Sequence, residues 1–546
     1  MPRRAALVLL LYALLAVIVI PVFPHFISPN EVSRWVLAAA LVDRQSVDVT
    51  SYAPIVGSRF EDLSQVDGRL YSNKAPGGAL MGLPGYAVAR LFVGPASGAT
   101  MRISLTAMRL CAATLPALFL GFLFIRAGVR LGATDERIAF ALCVLLFGTP
   151  LFAYGLLNFA HALSAAGLFG AWVLLFTIPR QKMAPERSDA DGRRDTLPLI
   201  DRQPQLAAGA LIGLAVLSEY PVAVAAMVLL ACAMPRLRIG GLIKVAAGGA
   251  PFAILLCLYN ALAFGSPFIL SSGNERSPEF RALASHGLFG IGLPSPSNLL
   301  GLLADPGRGL FVFSPVLLVA LATLPAMRRR LDRQAFLGLA LPPLALLLIY
   351  AGYPNWHGGW TVGARYLVAA LPFLVAPLLA GPAAGGRFSR QPIALEAALA
   401  GASILAVVLT SLVFPFVPNV FRWPWASFAL PILMHGRVAP NLFHLISSSM
   451  ALVAPFTLCL AALMTGIDRK GWASALAGAV LWTAIGIGGS QQPTLGERLQ
   501  RGYVEEVYFE RAGALEEAAP AELGVPPRLR LREGNELRLA PASWPF

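Results

Sequence analysis

Apolar residues in this chain fall into runs of about 20, the length of helix that crosses a hydrocarbon core of roughly 30 Å, and the segments between them are short, polar and dense in arginine. The pattern predicts about thirteen transmembrane helices. The first, at 5–23, follows Arg3 and Arg4 and has no small-x-small site after it, so it is expected to be an uncleaved span that starts in the cytoplasm. Further spans are expected at 107–125, 138–154 and 160–178, as two short paired helices within 206–234, and as a seventh that follows Lys244 and ends in LYNALAFGSPF. Six more are expected between 309 and 489. Residues 74–92, KAPGGALMGLPGYAVARLF, are apolar but punctuated by glycine and proline, which predicts a segment lying in the interface rather than crossing it.

The polar segments orient these runs. Arg126, Arg130, Arg137, the MRRRLDR stretch at 327–333, Arg387, Arg390 and IDRKG all fall on one side of the count, the positive-inside signature of a protein with its N-terminus inside and its C-terminus outside. Residues 180–204, basic and rich in proline and aspartate without apolar periodicity, are expected to be a flexible cytoplasmic loop. The chain thus divides into a transmembrane domain over 1–489, with a first external loop at 28–106, and an extracytoplasmic appendage over 490–546. In that tail PRLRLREGNELRLAP, residues 527–541, reads as a hairpin.

Composition agrees with an all-α polytopic membrane protein of the cytoplasmic (plasma or inner) membrane: of 546 residues 57% are hydrophobic and 13% charged, against about a quarter charged in soluble domains. A net charge of +14 would raise nucleic acid as a partner in a soluble protein; with the arginines in short loops it does not. All five cysteines lie in apolar runs without a CxxC pair, which makes them apolar fillers. P-loop, Rossmann, HExxH and GxSxG signatures are missing.

Candidate chemistry concentrates just outside the first span, at residues 28–74. There Val32, Trp35, Val36, Ala39 and Val42 recur at helical spacing, with Ser28 or Asn30 as cap and Glu31 in the first turn. Glu31 is either the cap-turn acid of an interfacial helix or a base that deprotonates an acceptor hydroxyl beside a lipid-linked donor. Lys74 is one of only four lysines and precedes Ala-Pro-Gly-Gly; it either snorkels or offers a point charge to a phosphate at headgroup height. Arg69, Arg308 and Arg365 could complete an anion site from other loops. His161, at the outer start of the fourth span, is an interface residue or a ligand. His357, between Trp356 and Trp360 in NWHGGW, sits in an aromatic belt or on a surface where a sugar ring stacks. Glu219, in SEYP, is either a functional acid at membrane depth or a solvated one beyond a helix break.

Four segments together resemble the C-type (GT-C) membrane glycosyltransferases, the superfamily of protein O-mannosyltransferases (glycosyltransferase family 39) and lipid A aminoarabinose transferases. They are the NExSRWxLAxALVDRQS start of the first loop, DGRLYSNKAPGGALMGLP, LYNALAFGSPF and YPNWHGGWTVGARYLVAALPFL, in the family's order. The resemblance covers most of the membrane region and none of the tail. It implies a GT-C-like fold and inverting transfer of a sugar from a polyprenyl-phosphate donor to a glycan, lipid or protein acceptor at the outer face. By position it places Glu31 in the family's acidic pair, Lys74 at the donor phosphate, His161 among polar site residues and Arg365 at the arginine of the RYL motif. The first acid of the pair is Asn30 here, so the base is Glu31, or Asp43 or Asp48, or the protein is a non-catalytic cell-envelope assembly partner. Metal dependence stays open, since some relatives use a divalent ion such as Mg or Mn and others do not. The alternative from another class is a transporter or flippase of lipid-linked glycans.

Overall fold

The computed structural model describes residues 1–23, 26–56, 62–178, 202–287, 290–381, 383–384, 387–388, 393–490 and 493–510. The expected cytoplasmic loop up to residue 201, Arg390, and the hairpin expected at 527–541 lie outside the described residues. Among the described residues six helices are long and apolar enough to cross a membrane: Gly98–Arg130, Ile239–Phe264, Arg333–Ala351, Ala394–Val413, Ser448–Gly466 and Arg469–Gly489. The chain is a multi-pass membrane protein. Shorter apolar helices include His161–Phe176, Pro204–Ser218 and Val222–Arg236. Ala394–Val413 is mostly buried inside the bundle, whereas Ile239–Phe264 is mostly exposed and turns Ile243, Ile254, Leu258 and Leu262 outward, the surface a lipid-facing helix presents.

We label the elements that build the site α1 (Arg3–Val19), α2 (Pro29–Arg44), β1 (Leu63–Val66), β2 (Arg69–Ser72) and α3 (Gly77–Val93). Helix α2 starts with Pro29 in its first turn, where no amide hydrogen is needed, and stops at Gln45 in a left-handed conformation. It is buried all round from Glu31 to Ala40, so it is a core helix of the loop rather than an amphipathic one on a lipid surface. Trp35 explains this. It donates from Nε1 to Ser104 Oγ at 2.9 Å and packs edge-on against Phe26 and Tyr86, which ties α2 to α3 and to the start of Gly98–Arg130.

Between α2 and α3 the chain forms a β-hairpin that helical periodicity does not reveal. Its turn is Asp67-Gly68, with φ of 48° and 78°, the pair of left-handed residues a tight hairpin turn requires. The register pairs Leu63 with Ser72 and Val66 with Arg69, so Asp62 and Asn73 flank the open end of the ladder side by side. Helix α3 then packs closely. A Cβ on Gly77 would stand 2.5 Å from Ser218 Oγ, and one on Gly78 2.9 Å from Arg34 Nε, which accounts for the Gly-Gly pair after Lys74.

Buried ion pairs hold the bundle at both ends. Arg109, just before a π-helical turn at Leu110–Thr114, grips Glu31 bidentately at 2.8 and 2.6 Å and also bonds the Pro21 carbonyl. At the other end Arg137 grips Glu396 at 2.8 and 2.9 Å and donates to the Leu378 carbonyl. There Asp135 also accepts from the backbone amides of Arg4 and Ala5, a carboxylate on the positive end of α1. Arg137, read from sequence as a marker of sidedness, is thus fully buried as well. The start of the tail, Leu495–Val504, is a capped helix, and the Tyr508 and Phe509 that follow pack on Phe23 and Phe414.

Candidate active site

The loops that follow the C-terminal ends of α1, Ile239–Phe264 and Arg333–Ala351 meet over one cavity of about 160 Å³. Its wall combines Ser28, Pro29 and Asn30 from the start of α2, Asp62, Asn73 and Lys74 from the open end of the hairpin, Glu275 from the second loop, and Tyr353, Trp360, Arg365 and Tyr366 from the third. The second loop is docked by backbone pairing: Glu275 bridges Ser64, and the Arg276 amide donates to the Leu63 carbonyl at 2.9 Å. Hairpin register and loop docking therefore bring together side chains about 200 residues apart in sequence.

The centre of the polar wall is Asn73. Its Nδ2 donates to Asp62 Oδ1 at 2.6 Å and to Glu275 Oε2 at 2.9 Å, while its Oδ1 accepts from Ser33 Oγ at 3.2 Å and its carbonyl from Ser271 Oγ at 2.8 Å. Lys74 Nζ lies 2.6 Å from the same Asp62 Oδ1. Asp62 is 4% exposed and Glu275 9%. Burial, with the neighbouring Asp62 charge, pushes the Glu275 carboxyl up to about 7; Lys74, Asn73 and Arg281 act in the opposite sense. Across the cavity Arg365 donates to Tyr366 Oη at 3.0 Å and lies over the Tyr366 and Phe159 rings. Among the described residues its buried Nε has no hydrogen-bond partner, and neither has Asn355 Oδ1 on the same wall. Buried polar atoms without partners, facing a cavity, are the mark of a site that a polar ligand completes.

A second polar cluster lies behind this wall. Asn30 Oδ1 accepts from Arg34 Nη1 at 2.6 Å. Arg34 faces Glu219, which pairs with His161 and accepts from Ser164 Oγ. Glu219 and His161, far apart in sequence and singled out separately there, are thus one buried unit across the ends of two helices.

Of the residues singled out in the sequence, Lys74, Arg365 and Trp360 line the cavity, as does Asn30. The three acids proposed as base do not. Glu31 is 1% exposed, and its oxygens are taken by Arg109 and, at 2.8 Å, by the Asn158 amide. Asp43 bonds Arg90, Tyr86 Oη at 2.6 Å and the Ala96 amide at 3.1 Å, fastening α2 to the end of α3. Asp48 accepts from the Thr50 amide at 2.9 Å and faces Arg69, an exposed side chain 3.9 Å away at the far end of the hairpin. Arg308 is buried on the carbonyls of Gly359 and Val417 and on Asn419 Oδ1, where it shapes the third loop. His357 accepts from the Gly359 amide at 3.2 Å; burial and the nearby Arg308 and Arg365 push its imidazole down to about 4, so it is neutral at pH 7. Trp356 lies across Gly301. Asp62, Asn73 and Glu275 are the site residues that sequence reasoning missed. The signal was the Asp-Gly turn, which sets the register beside Asp62; nothing in the sequence points to Glu275.

No three His, Cys, Asp or Glu side chains converge among the described residues. The ammonium of Lys74 already sits on Asp62, and an amide nitrogen faces both cavity carboxylates.

No protein-family model matches the chain, and no curated protein matches it. Among solved structures it is similar to ArnT from Cupriavidus metallidurans in the apo state, at 15% identity over 89% of this chain and 77% of that one, with a TM-score of 0.43. It is also similar to ArnT from the same organism bound to undecaprenyl phosphate, at 14% identity over 92% and 78%, with a TM-score of 0.45. A third similar structure is the oligosaccharyltransferase AglB from Archaeoglobus fulgidus in complex with an inhibitory peptide and a dolichol-phosphate, at 13% identity over 85% of this chain and 56% of that one, with a TM-score of 0.39. ArnT and AglB are both GT-C family members.

Proposed function

We propose that this chain is a membrane glycosyltransferase that moves a sugar from a polyprenyl-phosphate donor to an acceptor hydroxyl at the outer face of the cytoplasmic membrane. The observation that carries the reading is the cavity: two cations from separate loops, two carboxylates and a tryptophan-tyrosine wall around one space at the ends of membrane helices. It joins three of the four segments that resemble the family, at Asn30, Lys74 and Arg365. Lys74 and the unpartnered Nε of Arg365 hold the donor phosphate and stabilise the charge that grows on it. Trp360 offers a face to the sugar ring. A cavity carboxylate takes the proton of the acceptor hydroxyl as its oxygen attacks the anomeric carbon. The bond from that carbon to the phosphate oxygen breaks, polyprenyl phosphate leaves with the electron pair, and the configuration inverts. In the same reading the chain makes about thirteen crossings, with its N-terminus inside and its C-terminus outside.

The test is transfer of labelled sugar from a polyprenyl-phosphate donor in membranes that contain the chain. Lys74→Ala is expected to lower kcat/KM for the donor about 10- to 100-fold, the worth of one charge-assisted contact, mostly through KM. A donor KM identical to wild type would remove Lys74 from the donor site. Movement of the lipid-linked glycan across vesicles with no transfer product would establish a flippase instead.

A further inference from the structure

We infer that Glu275, on the second external loop, is the proton acceptor of the transfer. The inference rests on the glycosyltransferase reading. Among the described carboxylates only Asp62 and Glu275 line the cavity, and Asn30 offers an amide with no basic oxygen. Asp62 holds the Lys74 ammonium and the Asn73 amide on one oxygen, both at 2.6 Å, so that oxygen is already engaged in the wall of the cavity. Among the described residues Glu275 receives a single hydrogen bond on its carboxylate, from Asn73 at 2.9 Å. Arg281, one of the two arginines of its own segment, spends Nε and Nη2 on the Glu275 carbonyl at 3.1 and 2.8 Å and acts on the carboxylate by charge alone.

Position agrees with the role. The bridge to Ser64 and the Arg276 amide bond to Leu63 fix the Glu275 backbone against the hairpin that carries Lys74, so base and phosphate cation are set by one register. The groups that face Glu275 are Asp62, Asn73 and Lys74 from the hairpin, Arg281 from its own loop and Tyr353 from the third loop. Their balance leaves the carboxyl near 7, where a general base combines a useful deprotonated fraction with enough basicity. In the step, the Glu275 carboxylate takes the hydroxyl proton while the acceptor oxygen bonds to the anomeric carbon and the phosphate departs. The proton is then released to the external solution.

The experiment compares wild type, Glu275→Gln, Glu275→Ala and Asp62→Asn in membranes that supply donor and acceptor. Glu275→Gln is expected to lower kcat about 10²- to 10⁴-fold, the span of general base catalysis, with donor KM little changed. In wild type, transfer rises with pH through about 7 as the carboxyl deprotonates, and Glu275→Gln loses that limb. Formate added to Glu275→Ala restores part of the rate, which a merely structural role would not allow and which reads out on whatever fraction is folded. Wild-type kcat in Glu275→Gln, or no response to formate in Glu275→Ala, overturns the assignment while leaving the transferase reading intact. Transfer absent from wild type itself defeats both.

Discussion

Glu31 shows how one side chain changes meaning between sequence and structure. In the sequence it is the acid beside the first span; in the fold it is the counter-charge of a buried arginine, with both oxygens taken. Removing one member of such a pair leaves the other uncompensated in a low-dielectric site, at a cost of about 3–5 kcal/mol. Glu31→Gln is therefore expected to lower the melting temperature in detergent and the yield of folded protein, and Arg109→Gln to do the same. A Glu31→Gln protein with wild-type stability and no transfer would return Glu31 to catalysis. Lys74 and Arg365, singled out in the sequence as candidate phosphate contacts, both line the cavity.

At the scale of elements the hairpin decides the site. Gly68 has φ of 78° with nothing within 4 Å of a would-be Cβ, so Gly68→Ala adds conformational strain and no clash. That strain is about 1–2 kcal/mol, and it acts on the turn whose register sets Asp62 beside Asn73. The expected outcome is a modest loss of stability with a larger fractional loss of transfer, measured on the same preparation by thermal unfolding and label transfer. Equal wild-type values for both would show that the register tolerates the turn. Helix α2 was legible from its apolar spacing, although Ser28 at its start makes no side-chain cap bond. The hairpin was legible only in its Asp-Gly pair, since four-residue strands carry too little alternation to stand out within a long polar loop.

At the scale of the whole molecule, the cavity lies at one end of the bundle and the Arg137–Glu396 pair at the other. The topology expected from arginine density predicts that the cavity faces outside. A single cysteine at Ser295, in the loop that follows Ile239–Phe264, is expected to react in intact cells with a membrane-impermeant maleimide. One at Arg238, in an arginine-bearing turn at the other end, is expected to react only after permeabilisation. The native cysteines are buried or half-buried and give little background. The reverse pattern would invert the orientation and place the cavity on the cytoplasmic face.

The sequence alone determined that the chain crosses a membrane many times, since apolar run length is a one-dimensional property that the bilayer thickness reads directly. Its motif order also sufficed to single out Lys74 and Arg365. Tertiary structure decided which carboxylates are spent on holding the protein together and which face the cavity. Glu31 meets Arg109 across 78 positions and Asn73 meets Glu275 across 202. An acid's role depends on the charge beside it in space. Strand register and the docking of the second loop select that neighbour, and hydrophobic periodicity carries no information about it.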